Sequence, residues 1–179
     1  MATTNPADLI FGKLFDAVDT NHDNYVEYAD YQRIIDRYTA GYKLTGSDRR
    51  AQALKAAYLT HWQELTRSAN GSQRLDKKAF VAAYRQATTD PSRFTMIEGL
   101  VHAIFDLMDA DGANEIGKEE FAKYVKLSGS AMPDAMEKFS AMDTDGDGMV
   151  SRQEYVRAAR EFLLAGDANA PGGTIFGLV

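Results

Sequence analysis

Residues 143–154 read DTDGDGMVSRQE, and no other stretch constrains the chain as much. Asp143, Asp145, Asp147 and Glu154 place oxygen donors at positions 1, 3, 5 and 12 of this span. Gly148 stands at position 6, where such a loop turns sharply and glycine reaches the needed backbone angles freely. A hard cation such as Ca²⁺ takes about 6–8 oxygens at roughly 2.3–2.6 Å. A short loop supplies them when alternate residues point inward and a last carboxylate closes the far side. The spacing meets D-x-[DN]-x-[DN]-G-x₅-E in full. Met149 then offers its backbone carbonyl, and Ser151 holds the place often bridged by water. The loop is expected between two helices.

The flanks define a unit that can be searched for elsewhere. Apolar residues 1, 4, 5 and 8 positions before the loop share one helical face, and an aromatic residue follows the last ligand. A first copy spans residues 19–30, after Phe11, Leu14, Phe15 and Val18 and before Tyr31. Its ligands would be Asp19, Asn21, Asp23, the Tyr25 carbonyl and Asp30, with Glu27 in the ninth place. Asn24 replaces the glycine, and asparagine visits left-handed geometry more readily than most residues. Asp30 is one methylene shorter than glutamate, which makes Mg²⁺, with its shorter bonds, a second candidate there.

A third copy spans residues 109–120, with Asp109, Asp111, the Glu115 carbonyl and Glu120 as ligands. Ala113 removes the side-chain oxygen at position 5, so this site ranks weakest of the three. The second copy is degenerate. Counting back from Phe80 starts its loop at Ser68, whereas Tyr58, His61, Trp62 and Leu65 start it at Thr66. The disagreement predicts a loop two residues longer than the template. In the exit frame Ala79 occupies position 12, so this loop is expected to be structural, pairing a strand near Leu75 with one near Val26.

Four units make an all-α fold in two pairs, residues 1–90 and 91–179, packed into one body with short strands joining paired loops. The connections are short, which argues against independently moving parts. The tail, residues 165–179, ends in Ile175, Phe176, Leu178 and Val179, and is either frayed or a plug for an apolar groove.

Composition narrows the function. With 45% hydrophobic residues the 179-residue chain can bury a core. A net charge of −6 without a basic run gives no nucleic-acid footprint. There is no cysteine, hence no disulfide or thiolate chemistry. No stretch has the length and apolarity of a membrane span, and the first ten residues lack a leader pattern. A cytoplasmic monomer is the default expectation.

Four helix-loop-helix units with a defunct second loop resemble the sarcoplasmic calcium-binding proteins of the EF-hand class, nearest their bacterial, calerythrin-like branch. A first loop closed by Asp30 and the final helix around residues 159–162 carry the same likeness. The resemblance implies two paired units packed face to face and a role as an intracellular calcium buffer or transporter.

Three functions follow as alternatives. A buffer binds Ca²⁺ at two or three sites, and three ions would offset the net charge of −6. A sensor opens an apolar, often Met-rich groove to a protein target. Seven methionines are present, but their helical spacing reads as core. A photoprotein-like ligand carrier needs several His, Trp and Tyr around a cavity, whereas the chain has one Trp and three His. Nothing points to an enzyme, since the paired carboxylates are all accounted for as metal ligands.

Overall fold

The computed structural model describes residues 5–178; residues 1–4 and Val179, part of the leader and tail readings above, lie outside them. The chain runs α1 (Pro6–Val18), β1 (Tyr25–Val26), α2 (Tyr28–Gly41), α3 (Arg49–Ser68), β2 (Leu75–Asp76) and α4 (Lys77–Thr89) through its first half. Then come α5 (Pro91–Met108), β3 (Glu115–Ile116), α6 (Lys118–Ser128), α7 (Met132–Met142), β4 (Val150–Ser151) and α8 (Arg152–Ala165). A 3₁₀ helix, Pro171–Phe176, forms the tail. No described helix is long and apolar enough to cross a membrane.

Local chemistry sets the helix ends. Asn5, Asp48 and Asp90 each accept a hydrogen bond from a backbone N–H two residues on, capping α1, α3 and α5. Pro6 and Pro91 follow two of these caps at the first helical position, where the missing N–H costs nothing. Ser151 caps α8 reciprocally with Glu154. Gly129 and Gly166 end α6 and α8 in left-handed geometry.

Each loop pair is stitched by two residues from each strand. Val26 lies opposite Leu75, as the sequence predicts, and Ile116 opposite Val150, in antiparallel register. All four side chains are fully buried. The strands hold each loop against its partner and hand their apolar side chains to the core.

The second loop corrects the sequence reading. The two extra residues do not lengthen the loop; they extend α3, which runs through Ser68. Leu75 falls opposite Val26, so the exit frame starting at Ser68 is the one the strands use. Tyr58, His61, Trp62 and Leu65 are buried all the same, because half a turn of extra helix separates their face from the loop.

The core is continuous through both halves. α3 lies along α5, and α1 packs against both α4 and α8. Tyr38 of α2 stacks on Tyr124 of α6 at 5.2 Å between centroids. Arg93 of α5 pairs with the buried Glu64 of α3 at 3.2 Å. The tail is a plug: Thr174 and Ile175 are fully buried, Phe176 stacks on Phe162, and Tyr124 Oη donates to the Ile175 carbonyl at 2.5 Å. Gly172 lies so close to α8 that a Cβ there would meet the Ala158 carbonyl oxygen at 2.1 Å.

Candidate metal centre

The fourth loop gathers its carboxylates. One oxygen each from Asp143, Asp145 and Asp147 lies within 4.8 Å of the others, the only such cluster among the described residues. An ion bonded at about 2.3–2.6 Å spans that separation. The backbone arranges them: Asp143 accepts from the N–H of Gly146, Asp147 and Gly148, and Asp147 accepts from Met149 N–H at 2.8 Å. Gly146 and Gly148 take φ of +73° and +86°. Glu154 closes the loop. Its Oε1 accepts from the Thr144 N–H and hydroxyl, each at 2.8 Å, and its Oε2 from the Ser151 N–H and hydroxyl, each at 2.9 Å. Partial burial raises the Glu154 pKa, but these hydrogen bonds outweigh it and hold the carboxyl ionised down to about 2. At Asp145 the Asp147 N–H lowers the pKa, yet desolvation and the Asp147 and Glu154 charges leave it raised. That repulsion is what a bound cation would relieve.

The first loop repeats the scaffold. Asp19 accepts from Asp23 N–H at 3.2 Å and Asn24 N–H at 2.9 Å, and Asp23 accepts from Tyr25 N–H at 3.0 Å. Asn24 takes φ of +67°, the left-handed geometry its position requires. Asn21 donates to Asp23 at 3.1 Å. Asp30 is 2% exposed and accepts from the Thr20 N–H and hydroxyl, from Glu27 N–H and from Arg33 at 2.8 Å.

In the third loop Asp109 accepts from Asn114 N–H, Asp111 from Ala113 N–H and Glu120 from Gly117 N–H. Ala113 gives the Glu115 N–H no side-chain acceptor, so the bond made by Tyr25 and Met149 cannot form there. Asp109 Oδ1 is buried without a hydrogen-bond partner among the described residues. A buried, unpartnered carboxylate oxygen is costly and is met by a cation. The donor sets of all three loops, all oxygen and mostly anionic, suit Ca²⁺.

The second loop holds no comparable set. Asp76 spends its carboxylate capping α4 through Ala79 N–H, and Ser72 turns onto the Arg74 carbonyl. What it sends toward the first loop is a cation. Arg74 lies 3.6 Å from Asp23 and 3.3 Å from Glu27, with its guanidinium 3.7 Å over the Tyr25 ring.

Sequence reasoning missed Arg74 and a Thr–Arg pair shared by the first and fourth loops. Thr20 and Thr144 sit at position 2, and Arg33 and Arg157 donate to their hydroxyls at 3.1 and 2.7 Å. Aligning the repeats would expose this pair, since the same residue types recur at the same offsets. Alignment also explains His22, whose φ of +57° matches glycines 112 and 146 at that loop position.

A family model for an EF-hand domain pair matches residues 98–160, and a single EF-hand model matches residues 11–35. Polcalcin Aln g 4 of Alnus glutinosa is 41% identical over 58 residues, covering 32% of this chain and 68% of the polcalcin. The chain belongs to the EF-hand family of calcium-binding proteins. Calerythrin of Saccharopolyspora erythraea is 24% identical over 155 residues, covering 84% of this EF-hand chain and 88% of calerythrin. A solved Streptomyces coelicolor calcium-binding protein superposes with a TM-score of 0.74 at 25% identity, over 88% of this chain and 97% of that one. The matched spans put EF-hand loops at the first, third and fourth units and leave the second outside the models.

Proposed function

We propose that this EF-hand protein is a cytoplasmic, monomeric calcium buffer. In the fourth loop Asp143, Asp145, Asp147, the Met149 carbonyl and Glu154 hold the ion. In the first, Asp19, Asn21, Asp23, the Tyr25 carbonyl and Asp30 do so, with Mg²⁺ as resting occupant. In the third, Asp109, Asp111, the Glu115 carbonyl and Glu120 form the weakest site. The ion contributes charge neutralisation and loop closure, and the chain's own carboxylates, backbone carbonyls and capping hydrogen bonds orient the donors. No bond is made or broken.

The observation that carries the buffer reading is the docked tail. A sensor must offer an apolar groove, but Ile175 is fully buried with its carbonyl held by Tyr124, and one hydrophobic cluster spans both halves. Met108 and Met142 are buried, while Met96 and Met132 are exposed on different helices. A hydrophobic dye titrated with and without Ca²⁺ tests this. A buffer gives no calcium-induced rise in fluorescence, and a rise would mean that the tail leaves its groove.

The sensor remains the second reading, because the Streptomyces coelicolor neighbour is described as a calcium-binding protein of prokaryotic calcium-mediated regulation. A protein target captured only with Ca²⁺ would favour it.

A further inference from the structure

The first, third and fourth loops each close on a carboxylate, and the groups behind that carboxylate differ from loop to loop. In the first loop Asp30 Oδ1 accepts from the Thr20 N–H at 3.2 Å, the Thr20 hydroxyl at 2.8 Å and the Arg33 guanidinium at 2.8 Å. Arg33 also donates to the Thr20 hydroxyl at 3.1 Å, which closes a triangle of Thr20, Asp30 and Arg33. Asp30 Oδ2 accepts from the Glu27 N–H at 2.9 Å. In the fourth loop Arg157 stands where Arg33 does, three residues after the closing ligand. It donates to the Thr144 hydroxyl at 2.7 Å and, among the described residues, forms no ion pair with Glu154. In the third loop position 2 is Ala110, and Lys123, at the place of Arg33, lies over the Tyr42 ring at 4.4 Å.

Those differences decide what each carboxylate can give an ion. A carboxylate oxygen offers about two lone-pair sites. A hydroxyl can rotate away when an ion arrives, whereas a backbone N–H cannot. A guanidinium on a buried carboxylate is held by a charge-assisted bond. Glu154 carries one backbone N–H and one hydroxyl on each oxygen, so both oxygens can turn to an ion. Asp30 carries the Thr20 N–H and Arg33 on the same oxygen, which fills it. Oδ2 is left as its ligand atom.

We propose that Arg33 is a positioning residue that sets the ion preference of the first loop by limiting Asp30 to one metal bond. The inference rests on the reading of the first loop as a site that Mg²⁺ occupies at rest. Ca²⁺ favours a closing carboxylate that gives both oxygens, whereas Mg²⁺ takes octahedral geometry, shorter bonds and several waters. One oxygen each from Asp19, Asn21, Asp23, the Tyr25 carbonyl and Asp30, completed by water, makes an octahedral set. The charge of Arg33 repels both ions alike, because both are divalent. Only the occupied Oδ1 separates them. Removing Arg33 therefore raises the affinity for Ca²⁺ more than that for Mg²⁺. The Arg33 side chain is half-exposed, so it can be replaced without opening the core.

The test is titration of the full chain with Ca²⁺ and, separately, with Mg²⁺, followed by amide NMR. The Asn24 N–H, bonded to Asp19 at 2.9 Å, reports the first loop, and the Gly148 N–H, bonded to Asp143 at 2.9 Å, reports the fourth. Arg33→Met should raise the Ca²⁺/Mg²⁺ affinity ratio of the first loop at least about fivefold, and Arg157→Met should leave that of the fourth within about twofold. The Gly148 N–H also shows that the Arg33 variant is folded. A first-loop ratio unchanged in Arg33→Met, with both affinities raised equally, would reduce Arg33 to a nearby charge and overturn the proposal. Weaker binding of both ions would make Arg33 a support of the loop, and a fourth-loop shift as large in Arg157→Met would make the effect a general one; either overturns it too. If the Asn24 N–H of the unmodified chain responds to Ca²⁺ but not to Mg²⁺, the Mg²⁺ reading of this loop fails first, and the proposal with it.

Discussion

At the scale of single residues the fourth loop depends on Glu154, which receives four hydrogen bonds, two from Thr144 and two from Ser151. Glu154→Gln keeps the shape and removes the charge. The fourth-loop affinity should fall at least about thirtyfold, roughly 2 kcal/mol, in a calcium titration, and an unchanged isotherm would remove Glu154 from the ligand set. Arg74 acts in the opposite sense. Its two ion pairs with Asp23 and Glu27 are half-exposed, and such pairs contribute about 0.2–1 kcal/mol each. Arg74→Gln should therefore tighten the first site by about threefold, and a weaker site would show that Arg74 supports the loop rather than competing with the ion. His61 makes stability depend on pH. Burial lowers its folded pKa to about 4, below the unfolded value near 6.5, so the unfolded chain binds the proton more readily. This contribution is complete above pH 6.5 and is lost as pH falls toward 4, about 2 kcal/mol of it by pH 5. Denaturant melts at pH 7.5 and 5 should show that loss, and His61→Phe should remove this part of it.

Among the elements, the tail and the paired loops rest on contacts from outside themselves. Gly172→Ala would drive a methyl group into the Ala158 carbonyl. Overpacking of this kind costs about 1–3 kcal/mol, so the tail should undock, with a lower melting temperature and new dye binding; a variant that melts like the parent would mean the tail contributes little. The two halves also repeat a device. Lys77 reaches Asp16 at 2.8 Å and lies over Phe15, and Arg152 reaches Asp106 at 2.6 Å and lies over Phe105. Each clamps the helix leaving the even loop to the helix entering the odd one. The loops were legible in the sequence because their chemistry is local: donors at fixed offsets, a left-handed residue at position 6 and an apolar stripe on each flank. Asn24 was read correctly for that reason. The α3 extension was not, because two inserted residues look the same in sequence whether they continue a helix or lengthen a loop. Arg74 and the Ile175–Tyr124 bond join segments distant in sequence, and no local pattern records them.

For the whole molecule, four helix-loop-helix units share one core, and the charge of the loops opposes that arrangement until cations arrive. Asp145, with its pKa raised by desolvation and by the Asp147 and Glu154 charges, and Asp109 Oδ1, buried without a hydrogen-bond partner among the described residues, are both groups a bound cation would stabilise. Binding and folding should be coupled. The measurement that tests this account most directly is calorimetric calcium titration of the unmodified chain, repeated in millimolar Mg²⁺. The account predicts two tight sites and a weaker third, with the first-loop heat diminished by Mg²⁺ and the fourth retained. A flat isotherm, or a single site that Glu154→Gln leaves intact, would contradict it.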